Sequence, residues 1–485
     1  MTDATAPPRP SSRGGMLIPM IVASAFFMEN LDATVIVTAL PQMAQQFGLS
    51  PSRLSLGITA YMLAQAVFLP ISSWVADRFG ARRVFCIAIG VFTLASVLCG
   101  LCSTFWPFVA ARVLQGTAAA LMSPVGRLVV LRTAPKAELM RAIGTIVWPA
   151  LIAPVIGPPL GGFITTYASW RWIFFINVPI GLAGMLLVLR FVPEQREGEP
   201  RPFDWTGFLL TGAALAGLMY GLDLIGVGGH GSWTLAGGLI LAAGVLGVAA
   251  FRHLARAAAP LMELTPLKVH SFNVGMVHAG SLVRLGISVQ PFLLPLMFQV
   301  SFGLSAFAAG MLFFSYMVGN LGMKLVTTPI LRRFGFRTVL TVNGLLNAAS
   351  IAACALIAPG WPPVWTGLLL LVSGMTRSMQ FTALSTFAFA DIAPTERSAA
   401  TALSGMTQQV GFALGVALAA ALLQLVQQLR GAPMVGLIDF RAAFVIAGLL
   451  ALFSVPWFVR LKPDAGAEVS GHTPGGRQGV VKTTD

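Results

Sequence analysis

Two carboxylates, Glu29 and Asp32, stand three residues apart in FFMENLDATVIVTALP (26–41), inside the first long apolar run of the chain. On a helix that spacing is about 4.5 Å of axial rise and puts the two acids on neighbouring faces. Nearby carboxylates resist ionising together, and withdrawal from water favours the protonated form, so one of the two can carry a proton. A charge at mid-bilayer costs roughly 2.5–3.5 kcal/mol on insertion scales, so such residues face a cavity or a partner. The other ionisable residues within apolar runs are Arg112, Arg127, Asp223, Arg284, Lys324 and Arg377. Arg112 falls at a depth similar to that of Asp32, which makes an ion pair geometrically available. Such a pair favours ionised Asp32 and leaves Glu29 to be protonated. A static pair that locks two helices is the competing reading.

Composition says what must position these groups. Of 485 residues, 56% are hydrophobic and 10% charged, far below the roughly 25% charged residues of soluble domains. The chain reads as an all-α membrane protein. Runs of about 20 apolar residues mark spans. Fourteen are expected, near 16–38, 54–75, 84–103, 106–131, 142–167, 172–191, 206–226, 233–251, 272–299, 306–330, 338–358, 364–390, 398–427 and 441–460. With the N-terminus on the cytoplasmic side, and Arg190, Arg441 and Arg460 at span ends counted with the adjoining loops, 22 of the 31 Lys and Arg fall on that side, 4 on the other and 5 inside spans, as the positive-inside rule requires. The net charge of +14 is thereby explained by topology rather than by nucleic acid. The C-x-x-C at Cys99 and Cys102 lies in an apolar run and reads as packing. No P-loop, H-E-x-x-H or G-x-S-x-G occurs, which argues against an enzyme.

The chain also repeats itself. ADRFGARRV after the second span matches LRRFGFRTV after the tenth, Arg78 to Arg333, an offset of 255. RVLQ (Arg112, Gln115) in the fourth span matches RSMQ (Arg377, Gln380) in the twelfth at an offset of 265, which calls for ten extra residues near APGWPP. Spans one to six thus correspond to nine to fourteen as parallel repeats about an axis along the membrane normal, with spans seven and eight inserted. The expected organisation is an N-tail (1–15), a six-helix bundle (16–195), a linker with the inserted pair (196–269), a second six-helix bundle (270–462) and a disordered C-tail (463–485).

These motifs resemble the major facilitator superfamily and, within it, the fourteen-helix drug:proton antiporters. SSWVADRFGARR is similar to that superfamily's loop between helices two and three, RVLQGTAAALMSPVG to its fourth-helix motif and APVIGPPLGG to the fifth-helix antiporter motif. LDATVIVTALP and WRWIFFINVPIG resemble segments of the fourteen-helix branch, and QQVGFALGVAL carries the likeness in the second half. The chain departs from the pattern at Ser73 and Ala153, where glycine is usual, at Val37, where asparagine is frequent, and at Arg332, which replaces an acid.

The resemblance implicates the first-helix acid and Arg112 in proton coupling, and Asp77, Arg78, Gly80, Arg82 and Arg83 in a cytoplasmic gate, with Arg127 as the expected partner of Asp77. Pro154, Gly157, Pro158, Gly161 and Gly162 fall in the antiporter motif. Their prolines bend a helix and their glycines admit a close neighbour. The 255 offset carries Glu29 onto Arg284, so an acidic first-half wall facing a basic second-half wall is expected. Arg284 and Arg377, with Gln115 and Gln380, are the candidate substrate contacts. The expected function is export of small molecules against a proton gradient, with no cofactor and no metal. The competing readings are an exporter of anionic metabolites and a non-transporting sensor. The expected setting is a bacterial inner membrane with both termini cytoplasmic. The partners are a small-molecule substrate, amphipathic or anionic, protons and lipid, with an accessory periplasmic protein left open; no nucleic acid is expected.

Overall fold

The computed structural model describes residues 16–134, 138–194, 202–227 and 230–472. Among them every regular element is helical. The first half comprises α1 (Leu17–Phe47), α2 (Pro51–Ile71, continued by Ser72–Phe79), α3 (Ala81–Leu101), α4 (Phe105–Thr133), α5 (Leu139–Tyr167) and α6 (Trp172–Phe191). The inserted pair is α7 (Trp205–Val227) and α8 (His230–Leu254). Then come α9 (His270–Val300), a long helix from Ala306 to Ala353, α12 (Pro363–Ala388), α13 (Arg397–Leu429) and α14 (Leu437–Val459).

Twelve of these helices are long and apolar enough to cross a membrane. One of the twelve, Ala306–Leu356, has 51 residues and is interrupted by Gly335 at φ 71°, ψ 165°. Left-handed φ at this position suits glycine alone. The break makes two spans, α10 (306–334) and α11 (336–356). Rich in Ser and Thr, α12 does not count by hydropathy, yet it packs on both α10 and α11 (Asn343 Nδ2 donates to Thr376 O at 2.9 Å). The fourteen expected segments map onto these helices in this way. α1 continues well past its expected end at residue 38, through Pro41 to a left-handed cap at Gly48.

Each half repeats one packing plan. α1 packs on α5 and α6 as α9 packs on α13 and α14, and α3 packs on α6 as α11 does on α14. Gly80 (φ 91°) ends the α2 continuation as Gly335 ends α10. Arg82 donates to the Leu189 carbonyl at the end of α6, and Arg337 to that of Val459 at the end of α14. A methyl group at Gly116 would collide with the Tyr61 carbonyl oxygen, and one at Gly374 with that of Tyr316. Tyr61 and Tyr316 are 255 apart, whereas Gly116 and Gly374 are 258 apart. Three residues, not ten, are therefore inserted between α11 and α12. The RVLQ–RSMQ match is one of letters only: Leu370, not Arg377, stands where Arg112 does in the first half.

The halves meet along α5 against α10, α2 against α13 and α1 against α9. Gly162 leaves no room for a side chain beside the Ala306 carbonyl, nor does Gly310 beside that of Pro158, and the Phe307 amide donates to Thr166 Oγ1 at 3.1 Å. α7 lies across the other seam, against α2 and α13. Asp204 anchors the inserted pair by accepting from the Gly207 and Leu261 amides (2.8 and 3.0 Å) and contacting His253 Nε2 at 2.8 Å. Burial opposes its charge, but those donors outweigh it and hold the carboxyl below its usual range. Residues expected in a disordered tail are partly ordered: Ala467–Ser470 form a helical turn, Gly466 abuts Phe336, and His472 Nδ1 contacts the Arg332 carbonyl at 3.2 Å. The N-tail and residues 473–485 lie outside the described residues.

Candidate functional site

Asp32 and Arg112 form a fully buried ion pair, Nη1 to Oδ2 at 2.7 Å. The other carboxylate oxygen, Oδ1, accepts from Gln115 Nε2 (2.9 Å) and Asn177 Nδ2 (3.0 Å), and Ser96 Oγ accepts from the same two amides. Arg112 also donates to Gln115 Oε1 at 2.6 Å and to the Gly57 carbonyl at 3.3 Å. Its guanidinium carbon lies 4.2 Å from the Tyr61 ring centroid, a cation–π contact, and its Nη2 has no hydrogen bond. Helices α1, α2, α3, α4 and α6 each supply a member. The expected Asp32–Arg112 pair is present. Gln115, expected to touch substrate, belongs to this cluster instead.

Glu29 has a different setting one turn away. Its Oε1 accepts from Gln65 Nε2 at 2.9 Å and its Oε2 from Ser123 Oγ at 2.5 Å. Gln65 in turn accepts from Gln409 Nε2 at 3.0 Å. A chain of side chains, Gln409–Gln65–Glu29, therefore runs from α13 in one half to α1 in the other. Arg127, whose guanidinium carbon is 5.7 Å from the Phe26 centroid, is within electrostatic reach of Glu29. The sequence alone gives Glu29 no counter-charge, because helical spacing does not show which α4 residues turn toward α1.

Both halves line a cavity of about 330 Å³, within the range of small-molecule sites. Glu29, Tyr61 and Gln65 stand on its first-half wall, Lys324, Arg377 and Gln409 on its second-half wall, and Phe292, Phe313 and Phe412 supply aromatic surface. The cavity has Glu29 on one wall and Arg377 on the other, as expected, with Lys324 beside Arg377 in place of Arg284. Arg284 is off the wall: Nη1 donates to the Gly275 and Met276 carbonyls (3.4 and 3.2 Å) and Nη2 contacts Met276 Sδ. Residues 274–278 form a π-helical turn whose carbonyls this guanidinium satisfies. Gln380 is also off the wall, bonded to Asn343 and to the Leu340 carbonyl. Arg377 remains.

Where the repeat copies the Asp32 cluster, the second half has no charge. Gln290 donates to Ser373 Oγ at 2.6 Å and accepts from Tyr316 OH at 3.0 Å, with Cys354 Sγ at 3.4 Å. Ser373 is 258 residues beyond Gln115, the offset of α12; Gln290 stands three positions past the 255 offset and matches Asp32 through its contact with Ser373 rather than through register.

The charged turn after α2 places Asp77 Oδ1 3.1 Å from Arg132 Nη2. Arg132, near the end of α4, is the partner rather than the expected Arg127. Arg78 lies over Trp74, and Arg83 faces Glu194 at 3.3 Å on the surface. In α5 the antiporter-motif glycines receive α1: Gly157 fits against Thr34, and Gly161 against Val35 and Thr38. Gly162 turns to α10, so one small-residue face serves a neighbour within the half and another across the interface. Gln65, Ser123, Asn177 and Gln409 join the site without being singled out in the sequence, although Ser123, Asn177 and Gln409 fall within segments that carry the family likeness. The signal they share in the sequence is a polar side chain inside an apolar span.

The family description "Major Facilitator Superfamily" matches residues 22–387 and 276–483. A candidate multidrug resistance protein named MdtD from Serratia proteamaculans is 39% identical over 409 residues, 83% of this chain and 84% of the relative. Its namesake from Salmonella typhimurium is 39% identical, with 83% and 85% covered. Among solved structures, the POT family transporter PepTSo superposes with a TM-score of 0.68 at 14% identity, covering 96% of this chain and 99% of that one. A D-xylose–proton symporter gives 0.64 at 14% identity, covering 93% and 98%. At that identity the likeness is one of fold.

Proposed function

The chain belongs to the Major Facilitator Superfamily, and on that premise we propose that it exports small molecules in exchange for protons. It is a multi-pass membrane transporter with a small-molecule substrate. The observation that carries the proton coupling is Glu29: an acid on the cavity wall, linked through Gln65 to Gln409 of the other half. Ionised, Glu29 accepts at both oxygens. Protonated, one oxygen becomes a donor: the Ser123 hydroxyl can turn to accept from it, but the incoming amide of Gln65 cannot. Protonation at Oε1 therefore makes Gln65 turn, and Gln65 also holds the bond to Gln409 across the interface, so protonation biases the rocking of one half against the other around a midplane cavity. Asp32, held at both oxygens by Arg112, Gln115 and Asn177, keeps α1, α4 and α6 in register while Glu29 cycles.

The export direction draws on the multidrug resistance names of the relatives. Placement in a bacterial inner membrane, with both termini cytoplasmic, draws on the clustering of Lys and Arg at one end. Export of an anionic metabolite is the second reading, favoured by Lys324 and Arg377 on the wall. Flux in proteoliposomes under an imposed pH gradient tests the proposal. Substrate accumulation that dissipates the gradient supports it; flux indifferent to the gradient overturns it.

A further inference from the structure

The second-half wall carries two cations and no acid. Arg377 has no hydrogen-bond or ion-pair partner among the described residues, and its Nε is buried and unpaired. Its guanidinium carbon lies 5.8 Å from the Tyr316 ring centroid. Lys324 lines the same cavity, close enough for the two positive charges to repel. A buried donor left unmade is expensive, so this wall is built for an anionic group that the protein does not supply.

The opposite wall imposes a second condition. Glu29 is faced by Asp32 on its own helix, Tyr61 and Gln65 on α2, and Ser123 and Arg127 on α4. The hydrogen-bond acceptors of Asp32 are already occupied, which leaves Glu29 to respond to the cavity. Protonating Glu29 makes the cavity more positive. A simple anion would then bind more tightly beside the proton, and by linkage the two would travel together rather than exchange. A simple cation would compete with the proton for Glu29, the sign exchange needs, but would meet Lys324 and Arg377. One class satisfies both walls.

Resting on the export reading, we propose that the cavity takes a zwitterionic amphiphile, its ammonium group on Glu29 in place of the proton and its carboxylate on Arg377 and Lys324. The apolar body lies against Phe292, Phe313 and Phe412. Loading from the ionised state requires no proton; resetting the empty carrier does, which yields exchange.

The test uses the full chain in proteoliposomes with an imposed pH gradient and three probes: norfloxacin, zwitterionic near neutral pH; nalidixate, a related carboxylate without the amine; and tetraphenylphosphonium, a cation. The expected result is gradient-driven norfloxacin flux about tenfold or more above the other two, a difference of one decade in affinity or rate. In weakly buffered detergent, norfloxacin binding to partly protonated protein releases protons, and Glu29→Gln removes that release. Arg377→Gln weakens norfloxacin binding and Arg377→Lys restores much of it, at unchanged melting temperature. Tetraphenylphosphonium moved as well as norfloxacin overturns the zwitterion claim and leaves export standing. Nalidixate preferred, with proton uptake on binding, overturns it in favour of an anion site. Absence of gradient-driven flux for all three overturns both proposals.

Discussion

Glu29 and Asp32 share a helix and differ in what each would leave behind if neutralised. Asp32→Asn strips Arg112 of its counter-charge in a site with no water-exposed side. Breaking a buried pair from one side is destabilising by about 3–5 kcal/mol. We expect a lower melting temperature for the detergent-solubilised protein and loss of all transport modes. Glu29→Gln preserves an acceptor for Gln65 and removes the titrating group. It should melt like the parent, retain substrate–substrate counterflow and lose gradient-driven flux. The reverse pattern would make Asp32 the carrier. That Asp32 meets Arg112 was legible from depth along the two spans. That Gln115 joins them was not, because helical spacing gives depth but not which way a glutamine turns.

At the scale of helices, glycine decides how close neighbours come. Gly116 and Gly374 sit against tyrosine carbonyls of α2 and α10, whereas a methyl group added at Gly144 in α5 would meet nothing within 4 Å. Gly116→Ala and Gly374→Ala should each lower stability by about 1–3 kcal/mol through overpacking. Gly144→Ala should be neutral or gain up to about 1 kcal/mol from helix propensity. Thermal denaturation of the three variants side by side checks this, and equal effects would discount the repeat register derived from these contacts. The spans were readable from hydropathy because lipid demands long apolar runs. The register of the repeat was not, because arginine and glutamine recur for unrelated reasons: Arg112 holds an acid, and Arg377 faces a cavity.

For the whole molecule, the question is what makes two bundles move as a carrier. The Gln65–Gln409 bond joins them beside Glu29, while Gly162 and Gly310 let α5 and α10 close tightly elsewhere along the interface. A Gln65→Cys, Gln409→Cys pair, with the four native cysteines replaced, should be bridged by a short reducible bifunctional thiol reagent that stops substrate–substrate counterflow, with recovery on reduction. Full counterflow in the cross-linked protein would show that this contact does not open during the cycle. The two-bundle architecture was legible from the repeated RFG loops. The contacts across the interface were not, since they pair residues hundreds of positions apart with no shared pattern.

The uncharged cluster around Gln290 has a consequence of its own. The two halves hold corresponding polar clusters, and only one of them is charged. Leu370 stands where Arg112 does in the register of α12, and Gln290 meets Ser373 as Asp32 meets Gln115. Introducing Gln290→Asp with Leu370→Arg should plant a second ion pair without redesigning its surroundings, whereas Gln290→Asp alone should destabilise the protein. Comparing the melting temperatures of the single and double variants reads out the rescue. If it holds, the silent half is a spare position where a second charge can be engineered into the carrier.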